Sequence, residues 1–293
     1  MQNAIPVVRS SPAAGIALMI AGVACLATND ALAKTLGQTY PPLQILFLRN
    51  LIALPVAVAV ALAMGGRGAL RSHRPGAHLL RGILWIAAAM LFFTALQHLA
   101  LAEATALAFA APLFITAISA LFLGETVGWR RWSAVVAGFC GVLVAVRPGA
   151  AAFDPAALLP VATALVYAVL MLGARWVDPR DSVWTVLLYL TGAGALISAL
   201  AVPFVWVALV PGDLWLFAAI SLFGTAGMTL ITQAFRLAPA AIVAPLDYTG
   251  LLWAVGLGWL IWAEMPDAAT LAGGAIIAAS GAVVILRGQR AGT

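Results

Sequence analysis

Apolar runs of roughly 20 residues, parted by short polar breaks, follow one another from residue 13 almost to the C-terminus. A helix rising about 1.5 Å per residue needs that length to cross a hydrocarbon core, and a backbone in lipid must satisfy its hydrogen bonds internally. The pattern predicts ten spanning helices: Ala13–Thr35, Leu43–Met64, Leu79–Leu96, Ala102–Leu123, Trp132–Val146, Ala157–Ala174, Ser182–Phe204, Asp213–Phe235, Ala241–Trp262 and Ala268–Leu286. The longest polar break, Gly65–His78, is a loop, so no stretch has the length of a soluble domain. The first run is too long for the apolar core of a signal peptide and reads as a span. The expectation is an all-α integral membrane protein.

Composition agrees: 64% hydrophobic and 9% charged residues leave too little polar surface for a soluble fold. The net charge of +5 invites a nucleic-acid partner, but its placement argues for topology instead. Arg67, Arg71, Arg74 and Arg81 lie in or beside the second break, Arg130 and Arg131 in the fourth, Arg175 and Arg180 by the sixth, and Arg236 by the eighth. Arg9, Arg287 and Arg290 lie near the ends, while the odd breaks hold Arg147 among Glu103, Asp154, Asp213, Glu264 and Asp267. Positive residues stay on the cytoplasmic side, which predicts cytoplasmic N and C termini in a multi-pass protein of the bacterial inner membrane. Lipids are expected partners and nucleic acid is not. Cys25 and Cys140 fall inside spans without ligand or redox spacing and read as small buried residues, so no metal or cofactor is expected.

The chain also resembles itself across its midpoint. Gly124-Glu125, Gly141 and Val146-Arg147 in the first half have counterparts, in the same order, in Ala263-Glu264, Gly281 and Leu286-Arg287. Repeats at 13–147 and 157–287 hold five spans each, and an odd number forces the second copy in upside down. Inverted repeats with a site near the midplane between them are the architecture of secondary transporters. Inversion places Glu125 and Glu264 at opposite faces, so they share no site, and Glu125 is expected to pair with Arg130 or Arg131.

The stretch from Gly124-Glu125 through Arg130-Arg131-Trp132, with Gly138-Phe139-Cys140-Gly141 and Val146-Arg147-Pro148-Gly149, resembles the EamA-type branch of the drug/metabolite transporter superfamily. Ala95-Leu96-Gln97, Pro112-Leu113-Phe114, Ala244-Pro245-Leu246-Asp247-Tyr248 and Trp262-Ala263-Glu264 extend that resemblance over essentially the whole chain. It implies two inverted five-helix units and gradient-driven transport of small metabolites, with amino-acid export common. Ala263 stands where the family usually has glycine.

A charge within a span costs roughly 2.5–3.5 kcal/mol on insertion scales, so each needs a reason. Asp30 and Lys34 are four apart and share a face of the first span. Arg49 lies at similar depth in the second, with Asn29 and Gln44 nearby. Together they predict a region for an anion or zwitterion in the outer half, with Asp30 exchanging protons; a static ion pair is the alternative. Their repeat counterparts, near Val169–Leu170 and at Tyr189, carry no charge. Asp247, beside Pro245 in the inner half of the ninth span, reads either as a second proton site or as a partner of Arg236. Trp129, Trp132, Trp176, Trp184, Trp206, Trp215 and Trp262 sit near span ends and read as an interfacial belt. Trp85, Phe92, Phe93, Tyr167, Tyr189, Tyr248 and Trp253 lie deeper and are expected to line an aromatic cavity. Gly192, Gly194, Gly224, Gly227, Gly256 and Gly258 are expected at close helix contacts. Pro112, midway along the fourth span, is the expected hinge.

The chain lacks a P-loop, H-E-x-x-H, an aspartate-rich diphosphate motif and a rhomboid-like Gly-x-Ser-Gly, which argues against an ATP-driven pump and an intramembrane enzyme. No selectivity-filter sequence favours a channel. The reading is a secondary transporter that exports amino acids, aromatic ones included, with protons as coupling partner. Uptake of S-adenosylmethionine or another nucleoside-like metabolite is the second reading, and lipid translocation the rival from another class.

Overall fold

The computed structural model describes residues 12–124, 127–149 and 154–290, and the side chains of all these except 240–241 and 284–290. Glu125 and Arg9 lie outside the described residues. The described chain is helical throughout: α1 (Pro12–Leu36), α2 (Pro42–Gly65), α3 (Pro75–Leu96), α4 (Leu101–Ala108), α5 (Ala111–Phe122), α6 (Trp129–Val146), α7 (Leu158–Leu172), α8 (Val183–Ala201), α9 (Leu214–Leu237), α10 (Ala240–Val243), α11 (Gly250–Trp262) and α12 (Ala268–Arg290). Eight segments are long and apolar enough to cross a membrane, α4 and α5 counting as one, and Ala268–Val283 adds a shorter apolar helix.

The ninth expected span is where the pattern and the fold part company. Ala241–Trp262 is not one helix: a 3-10 turn over Ala244–Thr249 separates α10 from α11. Pro245 lacks the N–H that a continued helix needs, so the backbone tightens there. The fourth span is broken too, at Phe109–Ala110, with Pro112 in the first turn of α5, where its missing N–H costs nothing.

Local chemistry sets most of the ends. Pro42 and Pro75 open α2 and α3. Ser182 Oγ accepts the Thr185 N–H at 3.1 Å to cap α8, and an Asp267 carboxylate oxygen accepts the Thr270 N–H at 2.8 Å at the start of α12. Ala263 closes α11 with φ of 55°, the left-handed conformation that Gly124 adopts at φ 66° in the matching place of the first half. Glycine fits that position without strain, and alanine does not.

Packing pairs one half of the chain with the other. α1 lies on α9, α2 on α8, α3 on α7 and α8, α4 on α11, and α6 on α12. Exchanging the halves turns the α1–α9 pair into α7–α3 and the α3–α8 pair into α9–α2, and returns the α2–α8 and α6–α12 pairs to themselves. Small residues permit these approaches: a Cβ on Gly22 or Gly227 would lie 3.0 or 2.9 Å from the other's carbonyl oxygen, and Gly141 and Gly273 meet as closely. Gly256 has open space beyond it, and Cys140 is exposed on the bundle surface.

Polar contacts tie each end. At the end carrying the 37–41 turn, Tyr40 donates to Asp213 at 2.8 Å, Gln44 donates to the Val207 carbonyl at 2.8 Å, and Arg147 pairs with Asp267. At the opposite end Asp181 accepts from Ser72 Oγ at 2.9 Å and the His73 N–H at 3.0 Å, and its oxygens meet His73 Nδ1 at 2.6 Å and His78 Nε2 at 3.0 Å. Burial pushes the Asp181 carboxyl up, but those hydrogen bonds outweigh it and hold the group well below the usual carboxylate range.

Candidate functional site

A partly open cavity of about 70 Å³ lies between α2, α3, α8 and α9. Arg49 and Asn50 mark its deep end, Trp85 and Gly224 flank it, and Val60, Trp184 and Thr229 lie toward the end that carries the 66–74 loop. At the other end Tyr40, Gln44 and Lys34 make the ties between the halves. The lining is apolar apart from a few convergent polar groups, the usual make-up of a small-molecule site.

Arg49 is 8% exposed, and its guanidinium makes no ion pair with a described residue. It lies over the Trp85 ring, 5.8 Å from the centroid. Ser221 Oγ donates to the Arg49 carbonyl at 3.1 Å and pins the backbone of α2 to α9. Gly224 explains how the head group fits: a Cβ there would lie 2.7 Å from Arg49 Nη2 and 2.8 Å from Asn29 Oδ1. Both tips therefore converge on one point of α9. Asn29 Oδ1 and Asn50 Nδ2 are buried without a hydrogen-bond partner, and Asn29 Nδ2 donates to Asp30 at 2.9 Å. Asp30 interacts with Arg49 electrostatically but is not in contact with it. The static bridge that the sequence left open is not formed. A desolvated guanidinium beside a carboxylate held slightly apart can take the two charges of a zwitterion, one on each group.

Lys34 is not part of this group. Its ammonium donates to Glu264 at 2.7 Å and to the Leu99 carbonyl at 2.8 Å, over the Trp262 ring at 5.0 Å. One turn beyond Asp30, it reaches the helix end, where the exposed turn after α11 presents a carboxylate. Phe92 packs into the apolar cluster around Leu36, Leu96 and Phe217 near the same end. Tyr189 donates to the Leu70 carbonyl at 3.2 Å and stacks on His78 at the far end, and Trp253 is 41% exposed on the outer surface. These two do not line the cavity. Trp184, read from sequence as interfacial, is buried at 6% and lines it, with Arg236 over its ring at 5.9 Å.

A second polar group lies across α3. Tyr167 of α7 interacts electrostatically with both Asp247 and Arg81, and Tyr248 packs edge-on against Phe109 at 5.0 Å with its hydroxyl buried and unpartnered. Asp247 forms no ion pair with Arg236, whose side chain reaches Gln233 instead. Arg81, which the sequence assigned to a cytoplasmic helix edge, is 6% exposed with Nε unpartnered. Its place six residues into α3, a turn before Trp85, was the available signal that it enters the bundle. Among the described residues no cluster of His, Cys, Asp or Glu could hold a metal ion.

Known proteins match this arrangement along the whole chain. The sequence profile of the EamA-like transporter family matches residues 13–147 and 154–287. The pseudopaline exporter CntI of Pseudomonas aeruginosa (strain UCBPP-PA14) is 30% identical over 269 residues, covering 90% of this chain and 93% of the relative. An S-adenosylmethionine uptake transporter of Rickettsia bellii is 27% identical over 90% of both chains, and a riboflavin transporter of Vibrio cholerae is 31% identical over 83% of both. A solved crystal structure superimposes with a TM-score of 0.64 over 97% of this chain and 100% of its own, at 24% identity, which speaks to the fold. The chain belongs to the EamA-like transporter family within the drug/metabolite transporters, and is a multi-pass inner-membrane transporter of small molecules rather than an enzyme.

Proposed function

We propose that the chain is a secondary active transporter of ten spans, arranged as inverted units at 13–147 and 157–287 with both termini cytoplasmic. It exports small metabolites bearing an amino-acid head group on an apolar or aromatic body. The inverted arrangement is supported by the family profile matching each half and by the α1–α9 and α3–α7, α2–α8 and α6–α12 pairs, which survive exchange of the halves. In this orientation the cavity opens to the cytoplasm and the Lys34–Glu264 end is shut toward the periplasm. Breaks at Pro112 and Pro245 give the fourth and ninth spans the hinges on which the halves rock.

The buried, unpaired Arg49 guanidinium on the Trp85 ring carries this reading. It takes the substrate carboxylate, Asn29 and Asp30 take the ammonium, and Asp30 with Asp247 exchanges the coupling protons. S-adenosylmethionine uptake is the second reading; that molecule has the same head group, and four relatives carry that name. The test is substrate counterflow in proteoliposomes with radiolabelled phenylalanine and, separately, S-adenosylmethionine. Arg49→Ala should abolish counterflow and Arg49→Lys should restore part of it, since lysine lacks the planar fork. Asp30→Asn should stop pH-driven transport yet spare counterflow. Wild-type counterflow in Arg49→Ala would overturn the assignment.

A further inference from the structure

Two polar knots fasten the halves of the chain to each other, one at each end of the bundle. At the cytoplasmic end of the proposed orientation sits Asp181, two residues before α8. It accepts from Ser72 Oγ and the His73 N–H and meets the rings of His73 and His78, all in the α2–α3 connection or the first turn of α3. At the periplasmic end sits Tyr40, two residues before α2. It donates to Asp213 at 2.8 Å and accepts the Val210 N–H at 3.0 Å, while Gln44 holds the Val207 N–H and carbonyl, both at 2.8 Å. These partners all lie in the α8–α9 connection.

Exchanging the halves turns one knot into the other. The start of α8 becomes the start of α2, and the α2–α3 connection becomes the α8–α9 connection. Asp181 and Tyr40 hold the same place ahead of their helices, although one is a carboxylate and the other a phenol. Gates behave otherwise. In a transporter of inverted repeats that faces one side, the gate at one end is closed while its exchanged counterpart is open. Both knots are closed in the same structure, so neither is such a gate. The α4–α11 contact does have that character. Exchange turns it into contact between α10 and α5, yet α5 packs on α6, α7 and α12, and α10 on α1, α9 and α12.

Burial points the same way. The Asp181 side chain is shut from water, and so are Tyr40 and Gln44, so undoing either knot would strand several dry polar groups on every cycle. Between the knots, α2 and α8 approach closely: a Cβ on Gly65 would lie 3.2 Å from Trp184 Cδ1, and one on Gly194 would lie 2.9 Å from Asn50 Nδ2. We propose that α2 and α8 form a fixed strut, fastened at both ends by the Asp181 and Tyr40 knots and docked through the whole transport cycle, while the α4–α11 contact opens. This rests on the inverted-repeat transporter reading and adds which parts of it stay together.

The test locks each contact in turn, in protein lacking Cys25 and Cys140 and reconstituted in liposomes. Ser72→Cys with Asp181→Cys closes the inner knot as a disulfide. Gly65→Cys with Trp184→Cys closes the strut beside it and leaves Asp181 in place, should Asp181→Cys not fold; a Cβ on Gly65 would lie 3.4 Å from the Trp184 Cβ. Tyr40→Cys with Asp213→Cys closes the outer knot through a short bifunctional methanethiosulfonate. Leu101→Cys with Gly258→Cys closes α4 on α11, where a Cβ on Gly258 would lie 4.0 Å from the Leu101 Cβ. Each variant is compared with its own reduced form by phenylalanine counterflow. For the disulfide pairs, thiol labelling of an added Asn50→Cys from the periplasmic side repeats the comparison. Closing a knot or the strut should leave both readouts within about twofold, and closing α4 on α11 should lower both about tenfold until reductant is added. Labelling needs no substrate, so a failure of the amino-acid reading silences counterflow alone. The inference is overturned if closing a knot or the strut lowers the readouts as far as the α4–α11 lock does, or if that lock changes neither.

Discussion

Gly224→Ala places one methyl group where Arg49 and Asn29 converge. The added Cβ would stand 2.7 Å from Arg49 Nη2, 3.0 Å from Nε and 2.8 Å from Asn29 Oδ1, so both tips must withdraw by about 0.7 Å to reach ordinary contact. The backbone is not forced to move, because each clashing atom ends a side chain. Alanine in place of glycine inside a helix gains roughly 0.5–1 kcal/mol, which offsets the strain of displacing the two tips. The fold should therefore keep its stability within about 1 kcal/mol. Binding should not. A charge-assisted hydrogen bond contributes about 1.5–3 kcal/mol, and a guanidinium pushed off its aromatic support no longer presents two parallel donors. Losing one such bond corresponds to about a 10- to 100-fold weaker complex at roughly 1.4 kcal/mol per decade. Counterflow of phenylalanine in proteoliposomes, beside thermal melting in detergent, separates the two effects. Wild-type affinity in Gly224→Ala would show that the tips of Arg49 and Asn29 do not form the site. A large fall in melting temperature would refute the claim that only side-chain ends shift.

Four further outcomes follow from other contacts. Glu264→Gln removes the partner of Lys34, whose side chain is 9% exposed; labelling of Asn50→Cys, a buried position at the deep end of the cavity, from the periplasmic side and without Cys25 and Cys140, should rise several-fold, and no rise would mean the pair does not close that end. Ala263→Gly should raise stability by about 0.5–1 kcal/mol, because residue 263 is left-handed; a lower melting temperature would count against that backbone. The Asp181 carboxyl sits below its unfolded value of about 3.9, so its contribution is complete above that pH and is lost only as pH falls through the lower folded value. The stability gap between wild type and Asp181→Asn should hold from pH 8 to pH 5 and close only below about pH 4, and closure near neutrality would contradict this sign. Pro112→Ala should express normally but transport more slowly, and wild-type turnover would leave Pro112 as a packing residue.

The spans that periodic hydrophobicity marked best are those whose helices run unbroken, such as α1, α2 and α9, whose ends differ by only a residue or two from the apolar runs. The broken fourth and ninth spans were not legible as broken, because hydropathy reports the solvent and not the hydrogen-bonding ladder. Proline marked the places, but not whether the helix bends or stops. In the site, Arg49 and Trp85 come together as their depth suggested. Lys34 shares a face with Asp30 yet is drawn to Glu264, 230 residues away, a pairing set by how the halves dock. Trp184 reads from sequence as interfacial and is instead buried. Distance from a helix end does not measure burial there: Trp184 is the second residue of α8, yet its ring lines the cavity.

Where the charges of this bundle are paired says how it works. At the ends, cations are met in contact: Lys34 by Glu264, Arg147 by Asp267, Arg180 by Asp178. In the middle they are not, although Arg49 and Asp30 are near enough to interact. A contact pair in the middle would have lowered the cost of burying Arg49, but it would also have to be broken before any ligand entered. Breaking a desolvated pair by taking away one partner costs several kcal/mol, and a substrate would have to supply that on arrival. Holding the guanidinium dry and unpaired moves the cost into folding, where the packing of α2, α3 and α9 sustains it. In the proposed role, an arriving carboxylate meets a donor already stripped of water and fixed against an indole, so little ordering remains to be done. End pairs have the opposite duty. On the proposed alternating access, the Lys34–Glu264 pair breaks and re-forms each cycle, and the partial exposure of the Glu264 side chain, 33%, lets water substitute for the lost partner. A cation that must let go is paired at the rim, and a cation that must capture is kept unpaired in the interior.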